Sequence, residues 1–252
     1  MIGFKKKTPT RKQFELIDLH SHILPGIDDG ATDMEASVEL VRELVANGAK
    51  DIFATPHYVD ETIYTSMRSF NLELLAKLRE AVSDAGIDVR IHLGNEIYIT
   101  PKIIELIEAG AISTLDNSMY VLMELPMSGE FPGYEDIILL ALRSGYRLIL
   151  AHPERYTSFQ DDFSLVYNLR EMGVLFQSNI GSFAGQYGKT VYKTAVRLAK
   201  ERLIFGVGSD IHHVHPELLS DGLLELSRLY DERGLEEILV GNPREILGRG
   251  LE

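Results

Sequence analysis

Short apolar runs of strand type alternate along the chain with longer runs whose apolar positions recur every three or four residues. The short runs are FELIDLH (14–20), KDIFATPH (50–57), DVRIHLG (88–94), MYVLMEL (119–125), RLILAHP (147–153), VLFQSN (174–179) and LIFGVGSD (203–210). Between them lie helical patterns such as MEASVELVRELVANG, SFNLELLAKLREAVSDAG, EDIILLALRSG and YKTAVRLAKER. Many are stopped by a glycine, as at Gly48, Gly86, Gly110, Gly145 and Gly173. Strands apolar on both faces, in series with helices, predict a parallel sheet covered by helices. Near the end, GNPREILG predicts a helix with Asn242 as its cap ahead of Pro243.

Polar chemistry collects where these runs stop. The first ends in His20 and His22, followed by Asp28 and Asp29 in a glycine-bounded loop. The second ends in His57, the third in Glu96, the fourth in Glu124 and the fifth in His152 with Arg155 close behind. Asn179 closes the sixth, and Asp210 and His212 close the seventh. Active sites of parallel α/β folds form at the carboxyl ends of strands. A closed or nearly closed barrel would bring all these ends round one mouth, whereas an open sheet would leave some far apart. The pattern therefore predicts a barrel and a shared metal site.

Imidazole and carboxylate without thiolate suit Mn²⁺, Fe²⁺, Zn²⁺ or Co²⁺. The donors outnumber the three or four that a single zinc takes, which points to two or three ions bridged by carboxylates. Asp18 shares a strand face with His20 and His22, and reads as orienting a ligand from outside. His92, inside a run, reads as a packed or exposed histidine, and His213 and His215 carry a weaker case for the site. Tyr58, Tyr64 and Tyr98 follow ligand-bearing runs and stand in reach of a pocket wall. Arg155 would repel metal ions if it pointed at them. Its target is an anion, either a phosphate gripped bidentately or an acid such as Glu154.

Composition narrows the field. At 252 residues, with 45% apolar and 25% charged positions, the chain suits one large globular domain over 15–252. It has no cysteine, which removes disulfides, thiolate metal sites and a thiol nucleophile for phosphate esters. A formal net charge of -13 opposes contact with a nucleic-acid backbone. No apolar run reaches the roughly 18 residues of a membrane helix. Residues 1–14 carry Lys5, Lys6, Lys7, Arg11 and Lys12, and read as a solvated, flexible extension with at most peripheral attraction to an anionic membrane. The expected location is the cytoplasm.

Taken in order, DLHSHILPGIDDG, ATPHY, GNEIYITP, AHPERY, QSNIGSFAGQYGK, GVGSDIHH and NPREIL resemble the motifs of the polymerase-and-histidinol-phosphatase (PHP) superfamily. Within it they resemble the CpsB/YwqE-like bacterial protein-tyrosine phosphatases, from about Asp18 to Leu247. The resemblance implies a distorted seven-stranded (β/α)7 barrel, a three-metal centre usually treated as manganese, and hydrolysis of phosphotyrosine. The implied substrate is the tail of a bacterial tyrosine kinase that controls capsule or exopolysaccharide synthesis. His20, His22 and Asp210 would hold one metal, with Glu96 bridging to a second completed by Glu124 and His152. Asp29, His57 and His212 would hold the third, although sequence leaves Asp28 open in place of Asp29. Metal-bound hydroxide would attack phosphorus while Arg155, matching the family's phosphate-facing arginine, stabilises the phosphoryl group. Some members carry another arginine after the SDxH motif, where this chain reads HHVHPELL. The nearest competing activity is hydrolysis of histidinol phosphate; a nuclease and a regulatory metal-binding module stand further off. A homo-oligomer is left open.

Overall fold

The computed structural model describes residues 14–129, 132–215 and 217–248. Most of the basic extension, up to residue 13, lies outside them, while Phe14 packs partly buried against the core. The strands are β1 (Leu16–Ser21), β2 (Ala49–Ala54), β3 (His57–Tyr58), β4 (Arg90–Leu93), β5 (Glu96–Tyr98), β6 (Tyr120–Glu124), β7 (Arg147–Ala151), β8 (Leu175–Asn179) and β9 (Ile204–Gly208). All pairings among them are parallel, in one sheet of order β1-β2-β4 and another of order β3-β5-β6-β7-β8-β9.

Where the sequence pattern predicts one strand over 50–57, two form, because Pro56 has no N–H to give the ladder. The run over 88–94 likewise ends early and restarts at Glu96. Asn95 pins this second break: its amide donates to the Pro56 carbonyl (3.0 Å), and its side-chain oxygen accepts from Ser113 N (2.8 Å). These breaks re-aim the chain just before His57 and Glu96. The two sheets meet through backbone bonds at β1: Asp210 N donates to His20 O (2.8 Å) and His22 N to Ile211 O (3.2 Å).

The helices are α1 (Met34–Ala46), α2 (Arg68–Asp84), α3 (Ile103–Glu108), α4 (Tyr134–Arg143), α5 (Thr157–Asp161), α6 (Ser164–Met172), α7 (Ile180–Phe183), α8 (Lys189–Lys200), α9 (Leu218–Leu229), α10 (Glu232–Glu236) and α11 (Asn242–Leu247). Asp33 caps α1 by accepting from Ala36 N (2.9 Å), and the following turn relies on Gly48. A Cβ there would lie 1.9 Å from the Phe14 carbonyl oxygen. Asn242 does not act as the expected cap. A π-helical turn at Glu237–Gly241 runs straight into α11, and the Asn242 amide instead donates to the Phe205 carbonyl in β9 (2.9 Å).

The strands are buried nearly throughout, as their two-sided apolar runs require. Tyr120, Tyr156, Phe53, Phe159 and Phe176 are the bulkiest fully buried side chains, each stabilising the fold by about 1.5–3 kcal/mol. With this core filled, the expected ligands gather at and just beyond the strand ends.

Candidate metal centre

His20 and His22 alternate along β1 and its end, so their rings share one side, and both are fully buried. Their Nε2 atoms stand 3.0 Å apart. Glu96, at the start of β5, brings Oε2 to 3.2 Å from the first and 3.4 Å from the second. Asp210, just past β9, brings Oδ1 to 3.6 and 3.4 Å from the same two atoms. The other Glu96 oxygen faces His152 Nε2 at 2.8 Å, and Glu124 at the end of β6 reaches that ring at 3.8 Å. On the other flank, Asp29 Oδ1 lies 3.4 Å from His57 Nε2 and 3.2 Å from His212 Nε2.

Among the described residues these donors fall into four overlapping groups: His22, Asp29, His57 and His212; His20, Glu96 and His152; His20, His22 and Asp210; and His57, Glu96 and Glu124. The structure thus brings together all nine of the His, Asp and Glu residues expected as ligands. His152 (φ 34) and Asp210 (φ 51) adopt left-handed backbone conformations that non-glycine residues rarely take. Such strain persists where the surrounding structure fixes it, and it clusters at functional sites.

A second layer sets which ring nitrogen faces the centre. His20 Nδ1 meets Gln177 Oε1 (3.0 Å), His22 Nδ1 meets Asp28 Oδ2 (2.8 Å), and His212 Nδ1 meets the Asp210 carbonyl (2.9 Å). Each partner is an acceptor, so each Nδ1 carries the proton and Nε2 presents a lone pair inward. Asp28 also accepts from His57 N and Gly30 N, which separates its place from that of Asp29. The Gln177 amide donates to Asn179 Oδ1 (2.9 Å), and Asn179 donates to Asp210 Oδ2 (2.6 Å). The sequence reading missed Gln177, although a glutamine two residues before Asn179 in a buried strand marks the same face.

Arg155 follows His152 on a 3₁₀ turn, and its Nη1 donates to Asp210 Oδ2 (2.8 Å). Glu154 is elsewhere: it is fully buried and accepts from Asn179 N and Ser182 Oγ. Asp18 sends its carboxylate to the backbone N–H groups of Ser209 (2.7 Å) and His20 (3.3 Å), so it orients the ligand strand through its backbone. His92 lies outside the site and meets Asp51 Oδ1 at 2.8 Å. The Tyr64 ring stacks 5.8 Å from that of His57, and His213 and His215 line a cavity beside Arg155.

Ligands roughly 2.0–2.2 Å from one ion stand about 2.8–3.6 Å apart between octahedral and tetrahedral angles. The five distances among His20, His22, Glu96 and Asp210 run from 3.0 to 3.6 Å. Two imidazole lone pairs aimed at each other repel unless a cation lies between them. Buried Glu96 Oε2 and His57 Nδ1 are 2.9 Å apart yet lack the alignment of a hydrogen bond, and neither atom makes a hydrogen bond elsewhere among the described residues. Burial and the charge of Glu96 push the Glu124 carboxyl up to about 8. Burial disfavours the charged form of His57, but Asp29 and Glu96 outweigh it and push the ring up to about 10. The donor set thus favours bound positive charge. The residues fit divalent cations.

A parallel α/β fold with five histidines and four carboxylates gathered at strand ends has the make-up of a metal-dependent hydrolase. The profile of the family described as "Capsular polysaccharide synthesis, CpsB/CapC" matches residues 16–248, and the chain belongs to that family. It is 34% identical over 200 residues to the tyrosine-protein phosphatase YwqE of Bacillus subtilis, covering 79% of this chain and 78% of that one. It is 29% identical over 243 residues to the tyrosine-protein phosphatase CpsB of Streptococcus pneumoniae, covering 92% and 98%. A solved structure from work on YwqE and CpsB, described as metal-dependent tyrosine phosphatases, superposes with a TM-score of 0.82 at 30% identity, covering 94% of this chain and 96% of that one. A phosphotriesterase homology protein from Escherichia coli, at 9% identity and a TM-score of 0.59, shares the fold alone.

Proposed function

We propose that the chain is a protein-tyrosine phosphatase that hydrolyses phosphotyrosine on the tail of a bacterial tyrosine kinase serving capsule or exopolysaccharide synthesis. The observation that carries this reading is the nine-donor cluster centred on Glu96, with Arg155 at its edge, in a member of the CpsB/CapC family. His20, His22, Asp210 and Glu96 would hold one ion, Glu96, Glu124 and His152 a second, and Asp29, His57 and His212 a third. Manganese is the first choice of metal. The two sheets read as one distorted seven-stranded barrel, with β3 and β5 continuing β2 and β4 past their breaks; the bonds between β1 and Asp210–Ile211 support its closure.

When bound, the ions lower the pKa of water toward neutrality and offset charge on the transferring phosphoryl group. The protein's own part is orientation. Gln177, Asp28 and the Asp210 carbonyl keep three imidazoles in the ligating tautomer. Arg155 commits one hydrogen bond to Asp210, which leaves other guanidinium N–H groups for phosphoryl oxygens. Phenolate leaves readily, so the scheme assigns no general acid. A chain without cysteine also fits direct hydrolysis over a thiol-linked intermediate.

The test compares initial rates on a phosphotyrosine peptide and on histidinol phosphate, each with manganese and with excess chelator. Chelator-sensitive preference for the peptide is expected. Preference for histidinol phosphate keeps the metal site and overturns the substrate.

A further inference from the structure

Arg155 has two supports, and only one of them is an ion pair. Its guanidinium carbon also sits 4.5 Å above the centre of the Tyr187 ring. The turn that delivers this ring is written in the sequence AGQYGK. Gly185 (φ 80) and Gly188 (φ 89) bracket Gln186 and Tyr187 in conformations open chiefly to glycine, and Gly188 N donates to Gly185 O (3.0 Å). The turn is seated by Gln186, whose side-chain oxygen would lie 1.9 Å from a Cβ at Gly181. Arg155, Tyr187, Asp210, His212 and His213 share the lining of one cavity of about 210 Å³ beside the donor cluster.

We propose that Tyr187 is a positioning residue for Arg155, presenting the guanidinium to the phosphoryl group through its aromatic face. The inference rests on the reading of Arg155 as the phosphate-facing cation. A second carboxylate in place of Tyr187 would fix the guanidinium by consuming N–H donors, and would repel an incoming dianion. An aromatic face attracts the cation across its plane and leaves the edge donors free. Asp210 holds one edge, Tyr187 holds one face, and the remaining N–H groups stay available to the cavity. The Tyr187 hydroxyl hydrogen-bonds with the Asn179 side chain; the positioning role assigned here belongs to the ring, which Tyr187→Phe retains.

The experiment measures kcat and KM for a phosphotyrosine peptide, and inhibition by inorganic phosphate, with manganese present. It uses the wild type, Tyr187→Ala, Tyr187→Phe, Arg155→Ala and the double variant Arg155→Ala/Tyr187→Ala. A partly desolvated cation–π contact corresponds to roughly tenfold in binding. Tyr187→Ala should therefore raise KM and the phosphate inhibition constant about tenfold with a smaller fall in kcat, and Tyr187→Phe should restore both. In the Arg155→Ala background, loss of Tyr187 should change neither. If thermal unfolding shows that the alanine variant does not fold, Tyr187→Leu keeps the bulk without the π face and takes its place. A wild-type KM after loss of the ring, a phenylalanine variant as impaired as the alanine one, or a further loss in the Arg155→Ala background overturns the proposal. An inactive wild type instead refutes the proposed function, an outcome visible before any variant is compared.

Discussion

Asp28 and Asp29 are adjacent in one glycine-closed loop and face different tasks. Asp28 accepts from the His22 ring and from two backbone N–H groups, whereas Asp29 turns to His57 and His212. Their chemistry is identical in sequence, and neighbours in a loop carry no periodicity that could separate them. What separates them is the His57 backbone N–H, supplied from a strand 29 positions away. The two should differ under mutation. Asp28→Ala keeps all nine donors but frees the His22 ring, and losing such a partner typically costs about 10–100-fold in metal affinity or activity. Asp29→Ala removes a donor outright and should leave a protein that binds fewer ions. Metal content after dialysis, alongside the manganese concentration for half-maximal rate, checks both. Equal metal content in the two variants would undo the assignment of Asp29. Gln177 shows a different limit of sequence reading: donors mark the strand ends, whereas this residue, which orients His20, sits two positions before the end of β8.

At the scale of elements, all seven predicted runs form strands, but two are broken where Pro56 and the Gly94–Asn95 step interrupt the ladder. Proline made the first break legible in principle, while the second depends on Asn95 reaching Pro56 and Ser113 across the chain. Close packing of β9 on β1 is also invisible in an apolar pattern. A Cβ at Gly208 would lie 2.5 Å from the His20 Cβ and 2.8 Å from Gln177 Nε2. Overpacking typically costs about 1–3 kcal/mol, and here the displaced groups are a ligand and the residue that orients it. Gly208→Ala should therefore lose manganese-dependent activity out of proportion to its drop in thermal stability. Matched loss of both would make Gly208 a packing residue only.

β2 and β4 are joined away from the site by Asp51, which accepts from Arg90 Nε (2.7 Å) and Nη2 (2.6 Å) and faces His92 Nε2 (2.8 Å). Burial pushes Asp51 up, but hydrogen bonds from His92 and Arg90 outweigh it and bring the carboxyl down to about 2. Burial disfavours charged His92, yet Asp116 and Asp51 raise it above its ordinary 6.5. A lowered Asp51 contributes stability above its unfolded value near 3.8 that is lost as pH falls toward 2. A raised His92 contributes stability below 6.5 that is lost as pH climbs through its folded value. Asp51→Asn should then lower the melting temperature most between about pH 4.5 and 6 and less at pH 9, measured with metal held constant. A deficit that grows toward pH 9 would contradict the pairing of Asp51 with charged His92.

On the scale of the whole molecule, the fold converges on a concentration of charge that it cannot satisfy alone. The net charge is -13, and four carboxylates of the cluster meet within a few ångströms of one another's imidazole partners. Burial and neighbouring Glu96 push the Glu124 carboxyl up to about 8, and Asp29 and Glu96 push the His57 ring up to about 10, so both favour their protonated forms near neutral pH. Metal binding must displace those protons, so it couples to folding and to pH together. A ligand bound only by the native state stabilises it by about 4 kcal/mol at a thousandfold excess over its dissociation constant. For a chain of this size that is a rise of roughly 8–16 °C in melting temperature. Thermal unfolding with manganese and with excess chelator at pH 7.5 should show such a gap. At pH 5.5 protons compete for the same nitrogens and oxygens, and the gap should narrow. A proton-release signal on manganese addition in weakly buffered solution should accompany it. An identical melting temperature with and without manganese at pH 7.5 would mean that the donors, though gathered, bind no ion strongly enough to matter, and hydrolysis would need another source of its nucleophile.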